Sequence, residues 1–227
     1  MMQLYIGNKN YSSWSMRTWV LLTQAGILFE EVMVRFDAFT PDSRFKSTMR
    51  KVSPMAKVPV LVDGDLVVWE TLAIAEYVAE QFPEKTLWPR DKAARAQARS
   101  LCAEMHSGFA GLRSYCPMNI EASLPEAGAL AWRDQPSVRA DVGRLVSMWQ
   151  QCLQTSGGPL LFGSFSVADA TFAPICARLV TYALPLPDDV QAYVQRICAL
   201  PGVKAWIDGA LAEQEFLDFE EPYRLHR

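Results

Sequence analysis

Histidine is scarce in this chain. His106 and His226 are the only two, and they stand far apart in sequence, so no zinc site built on paired imidazoles is expected. No Cys-x-x-Cys pair occurs either. The five cysteines, Cys102, Cys116, Cys152, Cys176 and Cys198, are odd in number and widely spaced. That pattern points to free, mostly buried thiols in a reducing compartment and argues against a disulfide framework. Positive charge is not in excess: 22 Lys and Arg stand against 25 Asp and Glu, a formal net charge of −3. A nucleic-acid partner, which needs clustered Lys and Arg, is therefore not expected. No apolar run approaches the roughly 20 residues that cross a bilayer, so no membrane partner is expected. The N-terminus opens directly into a strand-like segment without the pattern of a secretory leader. The expectation is a cytoplasmic protein of one large or two modest domains.

The stretch that organises the rest is Tyr11-Ser12-Ser13-Trp14-Ser15-Met16-Arg17. It follows an apolar run, Leu4-Tyr5-Ile6, and precedes a helical pattern from Trp14 to Ala25, closed by Gly26 as a C-terminal cap. A serine pair thus stands where a strand ends and a helix begins. The first N–H groups of a helix lack internal partners and its dipole favours negative charge there, so two hydroxyls at that place suit an anion. Arg17 adds positive charge nearby. The plain structural alternative is that Ser12 or Ser13 caps the helix.

Phe29 to Val34 reads as a second strand, giving a βαβ unit with parallel strands. A short basic helix around Phe45–Arg50 follows, with Arg44, Lys46, Arg50 and Lys51 forming either a solvated face or a cationic wall for a carboxylate. Pro59 opens a strand, Val60-Leu61-Val62, and Asp63-Gly64 turns it into Leu66-Val67-Val68. Glu70-Thr71 then occupies the N-terminus of a third helix, where Thr71 suits an anion and Glu70 an ammonium group. A ligand with both charges on one carbon, the α-amino acid end of a peptide, satisfies the pair.

The order βαβαββα, the Val58-Pro59 junction and the Glu70-Thr71 pair together resemble the thioredoxin-like domain of the cytosolic glutathione transferases. The resemblance implies an α/β domain over residues 1–80, a linker over 81–90 with its prolines, and an all-α domain over 91–227 that contributes the electrophile pocket. It implies that Val58-Pro59, with a cis peptide, meets the cysteine of glutathione and that Glu70-Thr71 grips the γ-glutamyl end. Lys57, and less firmly Arg50, would hold the glycine carboxylate. With no cysteine at the start of the first helix, the serine-type members are the nearest match. The motif is similar to the zeta-class pattern Ser-Ser-Cys-x-x-Arg, with Trp14 in the cysteine's place. On this alignment Ser12 is the first candidate for thiol donor and Ser13 a close second, with Arg17 in support.

The second region is helical throughout: one helix over Asp91–Ser114, an interruption at Pro117 and around Pro125–Gly128, then Val138–Gln154, Val167 to about Tyr182, Asp188–Ala199 and Gly202–Glu213. Ser166 and Asp169 have the spacing of a capping box before a helix apolar almost all round. The resemblance identifies this as the family's core-helix cap, a folding element. Tyr11, Trp14, Met105, Phe109, Tyr115 and Met118 are the candidates for the electrophile pocket, with core packing as the alternative for each. The implied partners are glutathione as co-substrate, with no metal, a small hydrophobic electrophile, and a second copy of the chain in a homodimer. Four readings stay open: conjugation of an electrophile, peroxide reduction, zeta-like isomerisation, and non-catalytic binding or regulation. The polar tail from Phe216 to Arg227 carries no functional reading.

Overall fold

Leu4 and Ile6 alternate with Gln3 and Tyr5, and this period of two makes β1 (Gln3–Ile6), with Leu4 and Ile6 fully buried. The computed structural model, which describes all 227 residues, continues with α1 (Ser13–Gln24), β2 (Glu30–Met33), α2 (Arg44–Arg50), β3 (Val60–Asp63), β4 (Leu66–Trp69) and α3 (Thr71–Gln81). The strands lie in the order β2-β1-β3-β4. β1 runs parallel to β2 and antiparallel to β3, and β4 returns antiparallel to β3. This is the thioredoxin-like arrangement that the sequence order implies. Gly26 ends α1 with φ +63, and Ile27 N–H reaches back to Leu22 O at 3.0 Å, as a left-handed cap requires. In the hairpin, Asp63 pairs with Leu66, so the two-residue loop is Gly64-Asp65.

Seven helices follow: α4 (Lys92–Ser107), α5 (Ala110–Tyr115), α6 (Pro125–Asp134), α7 (Pro136–Ser156), α8 (Val167–Thr181), α9 (Asp188–Ala199) and α10 (Pro201–Glu213). Two of them differ from the expectation. The single helix over 91–114 is broken at Gly108-Phe109, where Phe109 takes φ 58 and turns its ring into the core. The Pro125–Gly128 region does not interrupt but starts α6, because a proline in the first helical turn sacrifices no internal hydrogen bond. Gly128 is required there by close packing: a Cβ would lie 1.8 Å from Tyr182 O.

The two halves share one core. α1 packs on α8 and α10, so the first helix of the α/β unit is enclosed by the helical region. Short polar bonds fix that docking. Asn10 Nδ2 donates to Asn119 Oδ1 at 3.0 Å, Glu121 N–H donates to Asn10 Oδ1 at 2.8 Å, and Trp206 Nε1 donates to Lys9 O at 3.0 Å. At the centre, α8 is buried on nearly every side. Asp169 does more than cap it. One carboxylate oxygen accepts from Ser166 N–H at 3.0 Å and Ser166 Oγ at 3.1 Å, the other from Leu161 N–H at 3.3 Å and Tyr193 Oη at 3.2 Å.

Replacing Asp169 by Ala strands four donors in a dry interior, so a loss of about 3 kcal/mol or more is expected in urea unfolding. Burial holds the Asp169 carboxyl up at about 6 against its ordinary 3.8. The folded chain therefore binds this proton more readily than the unfolded chain. The stability linked to it is complete below pH 3.8 and is lost as pH rises through 6. The stability gap between wild type and Asp169→Asn should accordingly narrow between pH 4 and 7.

Candidate active site

Ser12 and Ser13 stand side by side at the start of α1, yet their hydroxyls have different surroundings. Ser12 caps the helix: its Oγ accepts from Ser15 N–H at 3.4 Å and donates to Ser15 Oγ at 2.7 Å. Ser15 Oγ is fixed in turn by Gly7 N–H at 3.1 Å. The Ser12 hydroxyl is thus committed to the helix. The Ser13 oxygen accepts from Arg178 Nη2 at 3.4 Å, and its proton has no acceptor within the protein. Both serines line a cavity of about 240 Å³ together with Tyr11, Trp14, Lys46 and Glu220.

Positive charge accumulates behind Ser13. Arg178 is buried on α8, with Nε on Cys116 O at 2.9 Å and Nη1 without a partner. Arg17 is buried as well, and none of its three nitrogens finds a hydrogen bond. Its guanidinium lies 4.3 Å from the centre of the Trp14 ring, and that of Arg113 lies 4.6 Å from it. Burial, reinforced by repulsion from Arg113, pulls Arg178 down to about 10 and lowers Arg17 as well. No carboxylate forms an ion pair with any of the three. A cluster of this sign at a helix N-terminus favours an anion at Ser13.

A second cavity of about 300 Å³ adjoins the first, sharing Trp14, Lys57 and Val58. Val58-Pro59 is cis, and Glu70 and Thr71 lie in the same cavity. Glu70 takes φ 69, which costs a non-glycine residue on the order of 1 kcal/mol or more and holds it where β4 passes into α3. Thr71 is the first residue of α3, so its N–H is free for an incoming carboxylate. His106, from α4, lines this cavity too, with Nε2 at 3.6 Å from Glu70 Oε2. Burial lowers its pKa, while Glu70 acts in the opposite sense.

The other candidates divide. Tyr11 and Trp14 line the cleft. Met105, Phe109 and Met118 instead belong to the core. Tyr115 lines a separate groove beside α6 and Tyr223. Arg50 is exposed and lines neither cavity. Lys46, one helical turn earlier, faces the cleft with Nζ on Ala56 O at 2.9 Å. Cys116 is buried and its thiol is pushed up to about 12 by burial, so it is unreactive.

The tail forms a wall of the site. Tyr11 Oη donates to Glu221 Oε1 at 2.6 Å, and Leu217 N–H donates to Tyr11 Oη at 3.3 Å. Burial, with Glu221 alongside, pushes Tyr11 up to about 12, so this phenol is a tail anchor and a poor proton donor to sulfur. Asn8 Nδ2 donates to Glu215 at 2.6 Å, and Phe219 meets Phe39 edge-on at 5.3 Å. Arg178 carried a sequence signal, as a lone cation on an otherwise apolar helix. The role of the tail carried none.

Residues 11–81 match the model of the glutathione S-transferase N-terminal domain, and residues 120–209 match that of the C-terminal domain. Glutathione S-transferase 1 of Dianthus caryophyllus is 33% identical over 193 residues, covering 82% of this chain and 81% of that protein. Maleylacetoacetate isomerase of Rattus norvegicus is 26% identical over 184 residues, covering 81% and 80%. Among solved structures, a glutathione transferase homolog from Burkholderia GL BGR1 with bound glutathione aligns with a TM-score of 0.70 and 27% identity, over 92% of this chain and 97% of that one. The chain belongs to the glutathione S-transferase family.

If Tyr11 holds the tail, Tyr11→Phe should raise amide exchange across residues 214–221 by about tenfold or more, with α1 protection unchanged. Exchange mass spectrometry reads both regions in one experiment.

Proposed function

We propose that the chain is a glutathione transferase that holds the glutathione thiol as a thiolate on Ser13 and directs it at small hydrophobic electrophiles. The observation that carries this is the Ser13 hydroxyl, which lines the cleft at the N-terminus of α1, accepts from buried Arg178 and keeps its proton free. Of the two serines, Ser12 has its proton engaged by Ser15 at 2.7 Å. The γ-glutamyl ammonium would pair with Glu70, and its carboxylate with the N–H and the hydroxyl of Thr71. Lys57 and Lys46 are within the cleft for the glycine carboxylate, and Val58-Pro59 flanks the thiol.

The energetics are adequate. A free thiol titrates near pKa 8.5, and lowering it by two units needs about 2.7 kcal/mol. One hydrogen bond to a charged acceptor supplies about 1.5–3 kcal/mol and a helix N-terminus about 0.3–1 more. The buried guanidiniums of Arg17 and Arg178 and the half-buried one of Arg113 add to this, since their field is weakly screened. The serine is a donor and not the nucleophile, because no histidine stands at either hydroxyl as base.

A second reading, glutathione-dependent isomerisation, is favoured by the likeness to maleylacetoacetate isomerase. Trp14 stands where the zeta-class motif has cysteine, which keeps conjugation first. The family also supports a homodimer, which light scattering would read as twice the chain mass. A reduced thiol co-substrate and five unpaired cysteines fit the cytoplasm.

Absorbance titration of bound glutathione tests the assignment. Wild type should ionise the thiol at least one unit below 8.5, and Ser13→Ala should return it toward that value with a tenfold or greater loss in kcat. Ser12→Ala should mainly destabilise the fold, by about 1 kcal/mol, through loss of the cap. The reverse pattern would assign the thiol to Ser12. Glu70→Gln and Thr71→Ala should each raise the Kd for glutathione at least fivefold, measured by calorimetry, with the bound thiol's pKa unchanged.

A further inference from the structure

Most of the partly buried carboxylates around the tail are engaged. Glu213 accepts from Lys9 N–H at 2.7 Å and Asn10 N–H at 3.2 Å. Glu215 accepts from Asn8, and Glu221 from Tyr11 and, at 2.8 Å, from Asn119. Glu220 is different. It is half-buried, its carboxylate has neither a hydrogen bond nor an ion pair, and it is the one acid among the residues that line the Ser13 cavity. Its place is fixed from both sides, by Phe219 against Phe39 and by Glu221 on Tyr11. Phe36, Phe39 and Phe45 supply the apolar wall of the same cavity.

We propose that Glu220 is the proton carrier when glutathione adds to an α,β-unsaturated carbonyl compound. The inference rests on glutathione binding at Ser13. The Glu220 carboxylate takes the proton given up when the thiol S–H bond breaks. The sulfur then forms a bond to the β-carbon, and the alkene electron pair moves toward the carbonyl as an enolate. Glu220 returns its proton to the α-carbon. The sum is addition of S–H across one C=C bond, with the protein restored and no other reactant needed. The aromatic wall receives the apolar part of that compound, and the cationic field from Arg178 favours the enolate charge.

Charges facing Glu220 suit this role. Burial raises its carboxyl to about 7, with Arg178 on α8 lowering it and Glu221 raising it. Lys46 on α2, Lys57 before β3 and Tyr11 before α1 are the other titratable groups on the cavity. A carrier with a pKa between those of an ordinary carboxylate and a thiol can both accept and return the proton near neutrality.

Two measurements on Glu220→Gln test the proposal. The first is proton release into weakly buffered solution when glutathione binds near pH 7.5. Wild type should release fewer protons per bound glutathione than the variant, because Glu220 captures part of them. The second compares turnover of benzylideneacetone, an addition, with chlorodinitrobenzene, a displacement that leaves no carbanion to protonate. The variant should lose about 100-fold on the enone, at least tenfold more than on the aryl chloride. Equal proton release in the two proteins, or parallel losses on both substrates, would overturn the role while leaving glutathione activation standing. Failure of wild type to bind glutathione would overturn both.

Discussion

Three guanidiniums, those of Arg17, Arg113 and Arg178, converge behind the first turn of α1 with no carboxylate in contact. Uncompensated buried charge is costly, and a folded chain keeps it only where something offsets the cost. Here part of the offset comes from within: Trp14 offers its π-face to Arg17 and Arg113, and Cys116 O accepts from Arg178. The remainder is available to an anion in the cleft. The fold serves this cluster. The sheet and α10 hold α1 in place, α8 brings Arg178 up to it, and the Asp169 network holds α8 at the centre of the helical region.

The division of labour between the two serines follows from the same local geometry. A helix start needs a cap, and Ser12 provides it through Ser15. The next residue then lies in the first turn, where its hydroxyl is free of the helix and near the unpaired N–H groups. Two adjacent serines thereby leave one hydroxyl bound to the helix and the other open to the cleft. The sequence alone left them nearly equivalent, because a motif alignment counts positions and does not see where a hydroxyl proton goes.

Local signals carried the fold. Period-two apolar residues, Gly26, the Gly64 hairpin and the Ser166–Asp169 box each acted through backbone chemistry confined to a few residues, and each appears in place. The misplaced features depended on tertiary packing. Phe109 takes a positive φ because its ring is wanted in the core, which no helical periodicity reveals. Pro125 looked like an interruption because a proline stops a helix from one side and starts one from the other. In the cleft, the places of Val58-Pro59, Glu70 and Thr71 were legible because each sits at a strand or helix end marked by its sequence neighbours. Lys46 in place of Arg50 is a matter of which end of a short helix reaches the cleft, since the two residues are one turn apart on the same side. The tail was opaque because its function depends on contacts with Asn8, Tyr11 and Asn119, remote in sequence.

The most direct test of this account is the crystal structure of the chain with glutathione, read for one distance. The account predicts the sulfur within about 3.5 Å of Ser13 Oγ, the Ser12–Ser15 hydrogen bond intact and the γ-glutamyl end on Glu70 and Thr71. A sulfur seated on Ser12 with that bond broken, or glutathione lying outside the cleft, would contradict it.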